Sequence, residues 1–194
     1  MTQAPPESAL PRAFRFAAAA CGLKKTGALD LALISSDVPA TAAAVFTQNL
    51  VVAAPVTLSR RNLQASRGRM RAVVVNAGNA NCATGEQGQA AARRTNEEAA
   101  RAMGLRPQEL LVCSTGVIGV QLPVEKILRA LPTLARNRRA SARSFTELSL
   151  AICTTDTRPK TASATFKMAG KRIHLLGCAK GAGMIHPNMA TTLA

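Results

Sequence analysis

The run Ala72-Val73-Val74-Val75 constrains this chain most. β-Branched side chains pack well on a pleated surface and are stiff in a helix. The run is unbroken rather than alternating, so the strand it predicts over residues 69–76 is buried on both faces. Such a strand lies inside a sheet with a layer on each side. The segment that follows, Asn76-Ala77-Gly78-Asn79-Ala80-Asn81, has three asparagines and one glycine in six residues. These residues tolerate left-handed backbone and bond their own main chain, which predicts a loop.

The rest of the chain supplies elements to build around that strand. Residues 12–21 and 29–35 read as strands, linked by Gly22-Leu23-Lys24-Lys25-Thr26-Gly27 with a glycine at each end. Residues 41–47 predict another strand, and residues 53–58 fit a short helix or strand equally. Residues 86–103, rich in Ala, Gln, Glu and Arg, predict a helix that Gly104 stops. Residues 110–114 predict a short buried strand feeding a turn, Thr115-Gly116-Val117-Ile118-Gly119. Residues 123–136 predict a helix with Pro123 at its start and leucines at helical spacing. Residues 140–151 predict another, ended by Thr154-Thr155-Asp156-Thr157. Residues 161–168 and 172–176 predict a hairpin turning at Ala169-Gly170. Strands and helices mix without regular alternation, so the expected class is α/β of the layered, α+β kind rather than a doubly wound sheet.

Composition narrows the function classes. Hydrophobic residues make up 47% of 194, enough for a packed core, but aromatics only 3%, with no Trp or Tyr. The core therefore rests on Ala, Val, Leu and Ile. The net charge is +15, with local clusters at Arg67-Gly68-Arg69-Met70-Arg71 and Arg136-Asn137-Arg138-Arg139. Nucleic acid is one reading of such charge. Without Tyr or Trp, however, the usual stacking platform for single strands cannot be built. A solvated basic surface facing an acidic partner explains the charge equally well. Cys21, Cys82, Cys113, Cys153 and Cys178 are odd in number and lack CxxC spacing. They fit neither a disulfide framework nor a zinc site; Cys113, Cys153 and Cys178 lie in apolar runs and are expected as buried, reduced thiols in a cytoplasmic protein. No stretch approaches the ~20 apolar residues of a membrane span.

Few residues offer chemistry. The two histidines, His174 and His186, read as ordinary strand or loop residues. The carboxylates are scattered, so no hydrolase pair stands out, and no glycine segment has phosphate-loop spacing. What remains are hydroxyls: Ser114-Thr115-Gly116, Thr154-Thr155-Asp156-Thr157 and Ala190-Thr191-Thr192. A threonine exposed by cleavage of the preceding bond carries an α-amine with a pKa of about 7.7–8, able to serve as its own general base. Taken singly, Thr115-Gly116 reads as a plain turn and Lys180 as a solvated charge.

Six motifs in order change that balance. They are Gly22-Leu23-Lys24-Lys25-Thr26-Gly27 with Asp30-Leu31-Ala32-Leu33-Ile34; Ala44-Val45-Phe46-Thr47-Gln48-Asn49 with Ala53-Ala54-Pro55-Val56; the asparagine-rich segment from Asn76; Ser114-Thr115-Gly116-Val117-Ile118-Gly119; Thr154-Thr155-Asp156-Thr157; and Lys180-Gly181-Ala182-Gly183-Met184-Ile185-His186-Pro187-Asn188-Met189-Ala190-Thr191. Together they closely resemble the ArgJ family of arginine biosynthesis, from about Phe14 onward. Thr192 and Cys82 depart from the family's usual residues without touching the motifs' reactive positions.

The resemblance implies an ArgJ/DmpA-like fold of the self-processing, N-terminal-nucleophile type. It implies an ornithine acetyltransferase (glutamate N-acetyltransferase) that moves acetyl from N2-acetylornithine to glutamate through an acetyl-threonine. Acetyl-CoA is a further donor in bifunctional members, and no cofactor or metal is implied. By the same resemblance Thr191 is the nucleophile, Thr115 and Gly116 form the oxyanion hole, and Thr154, Lys180 and Thr191 bind substrate. Cleavage falls between Ala190 and Thr191. Residues 1–12 are then a flexible N-terminus, 13–190 the α-chain domain and 191–194 the start of a β chain. The chain's abrupt apolar end agrees with a longer precursor, whose two halves would assemble as two α and two β chains. The fragment alone is expected to be inactive. Readings from other classes are a basic nucleic-acid-binding module and an N-terminal-nucleophile aminopeptidase.

Overall fold

The computed structural model describes residues 5–181 and 192–194. Its centre is a mixed four-stranded sheet in the order β1-β2-β3-β4, with β1 Phe14–Ala19, β2 Leu31–Thr41, β3 Arg69–Asn79 and β4 Leu110–Val117. β1 and β3 run antiparallel to β2, and β4 runs parallel to β3. The valine run lies in β3 and is covered on both faces. Ala72 and Val74 join one apolar cluster; Val73 and Val75 join the other.

Helices supply the two covering layers. α1 (Ala54–Ala65), α2 (Gly85–Met103) and α3 (Val124–Arg136) lie on one face, contributing Leu58, Ala91, Ala99, Ile127, Leu131 and Leu134. α4 (Ala142–Ala151) lies on the other, where Phe145 meets Phe16 edge-on with ring centroids 5.2 Å apart. Aromatic side chains are few, and small residues supply much of the remaining core. The buried residues of α2 include Ala91, Ala92, Ala99 and Ala100. α2 stops where expected: Gly104 is left-handed (φ 65°), and Leu105 N–H donates to Ala100 O at 2.9 Å.

β4 is an edge strand, and α1 covers its unpaired backbone. Ser59 Oγ donates to Val112 O at 2.8 Å and accepts from Val112 N–H at 3.0 Å. Asn62 Nδ2 and Asn96 Nδ2 both donate to Leu110 O. Buried polar side chains thereby take the place of a fifth strand. A separate two-stranded ribbon follows, β5 (Lys160–Met168) with β6 (Lys171–Ala179), turning at Ala169 and Gly170 as expected.

Three local expectations fail. Of residues 41–47 only Thr41, the last residue of β2, is in a strand. β2, the strand that leads into them, is already flanked by β1 and β3, so they cannot pair beside it, and Phe46 instead lies under the Arg60 guanidinium at 5.3 Å. The asparagine-rich segment is not a loop from Asn76, because β3 continues through Asn79. Thr115, Gly116 and Val117 likewise stay in β4 rather than forming a turn. The cause is shared. The pairs Asn76–Ser114, Ala77–Thr115 and Gly78–Gly116 extend both strands beyond the point where local propensity would end them. All five cysteines are free, and Cys113, Cys153 and Cys178, expected to be buried, are half-buried. Burial pushes the Cys113 and Cys178 thiols up to about 11, away from reactive thiolate.

Candidate functional site

At the C-terminal ends of β3 and β4 the asparagines form a network. Ser114 Oγ donates to Asn76 Oδ1 at 2.6 Å, and Asn76 Nδ2 donates to Asn79 O at 2.8 Å. Asn79 Nδ2 reaches Val120 O at 3.0 Å, and its Oδ1 accepts from Asn81 N–H at 2.8 Å. Asn81 in turn bonds Gly88 O and Thr84 Oγ1 at the start of α2. The network fixes where β4 ends and so where Thr115 and Gly116 stand.

Gly116 is demanded by that position. Its φ is +134°, and a Cβ there would lie 2.4 Å from Gly78 C and 2.5 Å from Asn79 N. Any side chain would wedge β4 from β3. Beside it, Thr115 is buried at 2% exposure.

Lys180, just past β6, is buried at 5% exposure, which overturns the reading of it as a solvated charge. Its Nζ donates to Thr115 Oγ1 at 2.9 Å and to Thr154 Oγ1 at 2.8 Å. Three residues from segments separated by 39 and 26 positions (154 minus 115, 180 minus 154) thus meet at one ammonium. Burial pushes the Lys180 pKa below the ordinary lysine range, with nearby Asp156 working against it. Both hydrogen-bond partners are neutral hydroxyls. A hydroxyl that accepts from an ammonium becomes a stronger donor itself, so Thr115 O–H is primed to meet developing negative charge.

Sequence reasoning gave no role to three residues that hold this site. Asp156, whose side chain is fully buried, accepts from Gly181 N–H at 2.9 Å, Thr154 N–H at 3.3 Å and Lys160 Nζ at 2.5 Å. Burial alone would raise its pKa, but these donors outweigh it and hold the carboxyl at about 2. Asp30, fully buried, accepts from the N–H groups of Cys21, Leu23 and Lys24 at 2.6, 2.6 and 2.9 Å. It closes the loop between β1 and β2. Lys24 Nζ then spans from Leu29 O at 2.6 Å to Ala151 O at 3.1 Å, the last residue of α4. A cation there also suits the helix dipole. The available signal was a lone acidic residue set before an apolar run (Asp30) or among threonines (Asp156).

Other expectations fall elsewhere. His174 bonds Thr165 across the ribbon at 3.1 Å, an ordinary strand contact. Ala190, Thr191 and His186 lie outside the described residues. Leu193 is described: it forms an isolated antiparallel bridge with Lys180, whose N–H donates to Leu193 O at 2.8 Å. Among the described residues no three His, Cys, Asp or Glu are grouped to hold a metal ion, and no helix is long and apolar enough to cross a membrane.

Comparison with known proteins places this geometry in context. A family model described as the ArgJ family matches residues 15–194. The arginine biosynthesis bifunctional protein ArgJ of Thermus thermophilus is 56% identical over 185 residues, covering 95% of this chain and 46% of that protein. Its counterpart from Chlorobaculum tepidum is 50% identical, covering 95% and 45%. Among solved structures, the ornithine acetyltransferase of Mycobacterium tuberculosis complexed with ornithine superposes with a TM-score of 0.86 at 39% identity, covering 92% of this chain and 93% of that one. The ArgJ crystal structure from Bacillus halodurans gives a TM-score of 0.87 at 36% identity, covering 92% of each chain. The chain spans about half the length of the curated relatives it matches.

Proposed function

Because this chain belongs to the ArgJ family, we propose that it is the α-chain part of a cytoplasmic acetyltransferase of arginine biosynthesis. The enzyme moves the acetyl group of N2-acetylornithine to glutamate, with acetyl-CoA as an alternative donor. The observation that carries the reading is the convergence of Thr115, Thr154 and Lys180 on one buried ammonium.

Each residue has a task in this scheme. Lys180 has three N–H donors, two of which go to the threonine hydroxyls. We assign the third to the substrate's carboxylate, the natural complement of a buried cation whose side-chain partners among the described residues are neutral hydroxyls. Thr115 O–H and Gly116 N–H stabilise the oxyanion as the tetrahedral state forms. Loss of one such donor costs roughly 3–4 kcal/mol in other enzymes. Thr191 supplies the nucleophile. Its hydroxyl attacks the acetyl carbonyl while its own α-amine, freed by cleavage after Ala190, takes the proton. Ornithine leaves, and glutamate's amine then takes the acetyl from Thr191. The pairing of Leu193 with Lys180 supports this assignment. Only two residue steps, about 7 Å of chain, separate Thr191 from Leu193. Two such α chains and two β chains would make the assembled enzyme.

Expression of the complete precursor tests the nucleophile. The unaltered protein should give two chains on a denaturing gel and transfer labelled acetyl from N2-acetylornithine to glutamate. Thr191→Ala should remain a single chain with no transfer. Two chains cut at this position in the variant would sink the assignment.

A further inference from the structure

We propose that Asp156 is a positioning residue of the acetyl-transfer site. It fastens the Thr154 turn to the end of β6 and keeps one negative charge near Lys180 while leaving the lysine's donors to others. The proposal rests on the acetyl-transfer reading for what the site acts on, and on geometry for the rest.

The geometry has two parts. First, Asp156 accepts from Thr154 N–H and from Gly181 N–H. One of these residues is a hydroxyl partner of Lys180 and the other its chain neighbour. A single carboxylate therefore joins the two segments that must stay in register for Thr154 Oγ1 to meet Lys180 Nζ. Second, no direct ion pair joins Asp156 to Lys180. The carboxylate's ion-pair partner is Lys160 on β5. A carboxylate bonded directly to Lys180 would occupy the donor that a substrate carboxylate needs. Held at one remove, it offsets the burial of the cation and leaves that donor available.

Among the described residues, the ionisable groups around Lys180 are few. Asp156 and Cys153 come from the segment after α4, Lys160 from β5, and Lys24 from the loop between β1 and β2. Lys160 and Lys24 are cations, and burial pushes the Cys153 thiol up, keeping it protonated at neutral pH. Asp156 is therefore the carboxylate that favours the charged form of Lys180.

Removing that charge while keeping the side-chain shape tests the proposal in the full-length protein. In Asp156→Asn, the loss should fall mainly on KM for N2-acetylornithine, roughly tenfold or more. The alkaline limb of kcat/KM should move to lower pH by about one unit, the low end for losing a nearby opposite charge. A second readout needs no activity. Trace acetylation of Lys180 with acetic anhydride, followed across pH by mass spectrometry, should show its midpoint falling by the same amount.

A variant with lowered thermal stability but an unmoved alkaline limb and an unmoved labelling midpoint would overturn the proposal, since a purely structural residue behaves that way. If the unaltered protein transfers no acetyl, the functional reading falls on its own. The labelling midpoint still decides the role of Asp156, downward shift for and no shift against. Should Asp156→Asn fail to fold, Asp156→Glu is read instead. Its retained charge should keep the limb in place while the displaced carboxylate raises KM, and a wild-type KM would count against positioning.

Discussion

Gly116 shows how much one residue can decide. It is not a flexible link but the point where two strands approach too closely for a side chain, with its backbone at φ +134°. Gly116→Ala would add a methyl 2.4 Å from the Gly78 carbonyl carbon. Overpacking and a strained backbone each cost about 1–3 kcal/mol. We expect a loss of roughly 3 kcal/mol in urea unfolding of the full-length protein, and transfer activity reduced beyond what the unfolded fraction explains. A variant as stable as the parent would show that β3 and β4 can part without cost. The hydrogen bonds of Lys180 belong to the same scale. An ammonium is buried because two hydroxyls meet it, and the hydroxyls are in place because Asp156 and the asparagine network hold their segments.

Among the elements, α3 is the clearest case of packing overriding propensity. Pro132 stands inside the helix and is exposed. It lacks the N–H that would bond the Leu128 carbonyl. The helix persists because Ile127, Leu131 and Leu134 are buried against the sheet and α2, at 0%, 2% and 1% exposure. Burying three such side chains contributes roughly 5–8 kcal/mol, more than the ~3 kcal/mol penalty of an interior proline. Pro132→Ala should therefore stabilise the protein by about 1–2 kcal/mol, seen as a rise of roughly 2–8 °C in the thermal midpoint. A lowered midpoint would mean that the proline's restriction of the unfolded chain outweighs the helix penalty. The opposite design appears at β4, where α1 spends buried polar side chains, Ser59 and Asn62, on covering a strand edge.

At the scale of the whole molecule, the chain is half of a family pattern. It spans 46% of its Thermus thermophilus relative. Its surface agrees with a partner: Phe166, Met168 and Leu175 on the β5–β6 ribbon are 46%, 61% and 61% exposed. The 194-residue chain purified alone is accordingly expected to transfer no acetyl from N2-acetylornithine to glutamate under conditions where the full-length protein does. Measurable turnover by the isolated chain would overturn this. The +15 charge would be offset by an acidic partner.

The sequence by itself determined the elements whose signal is local. The valine run requires two covered faces, Gly104 supplies the left-handed stop of α2, and Ala169-Gly170 turns the ribbon. Side-chain periodicity and backbone preference act over a few residues and can be read there. Six ordered motifs also pointed to the family, and to Thr115, Thr154 and Lys180 as one site. Only the tertiary structure decided how that site is held. That β3 and β4 run on through Asn79 and Val117 depends on each strand having the other beside it. That Lys180 is buried depends on two hydroxyls 65 and 26 positions away. The role of Asp156 depends on donors from both sides of the ribbon. Such contacts carry no local pattern, because the free energy of a buried charge is set by whatever surrounds it in space rather than by its neighbours along the chain.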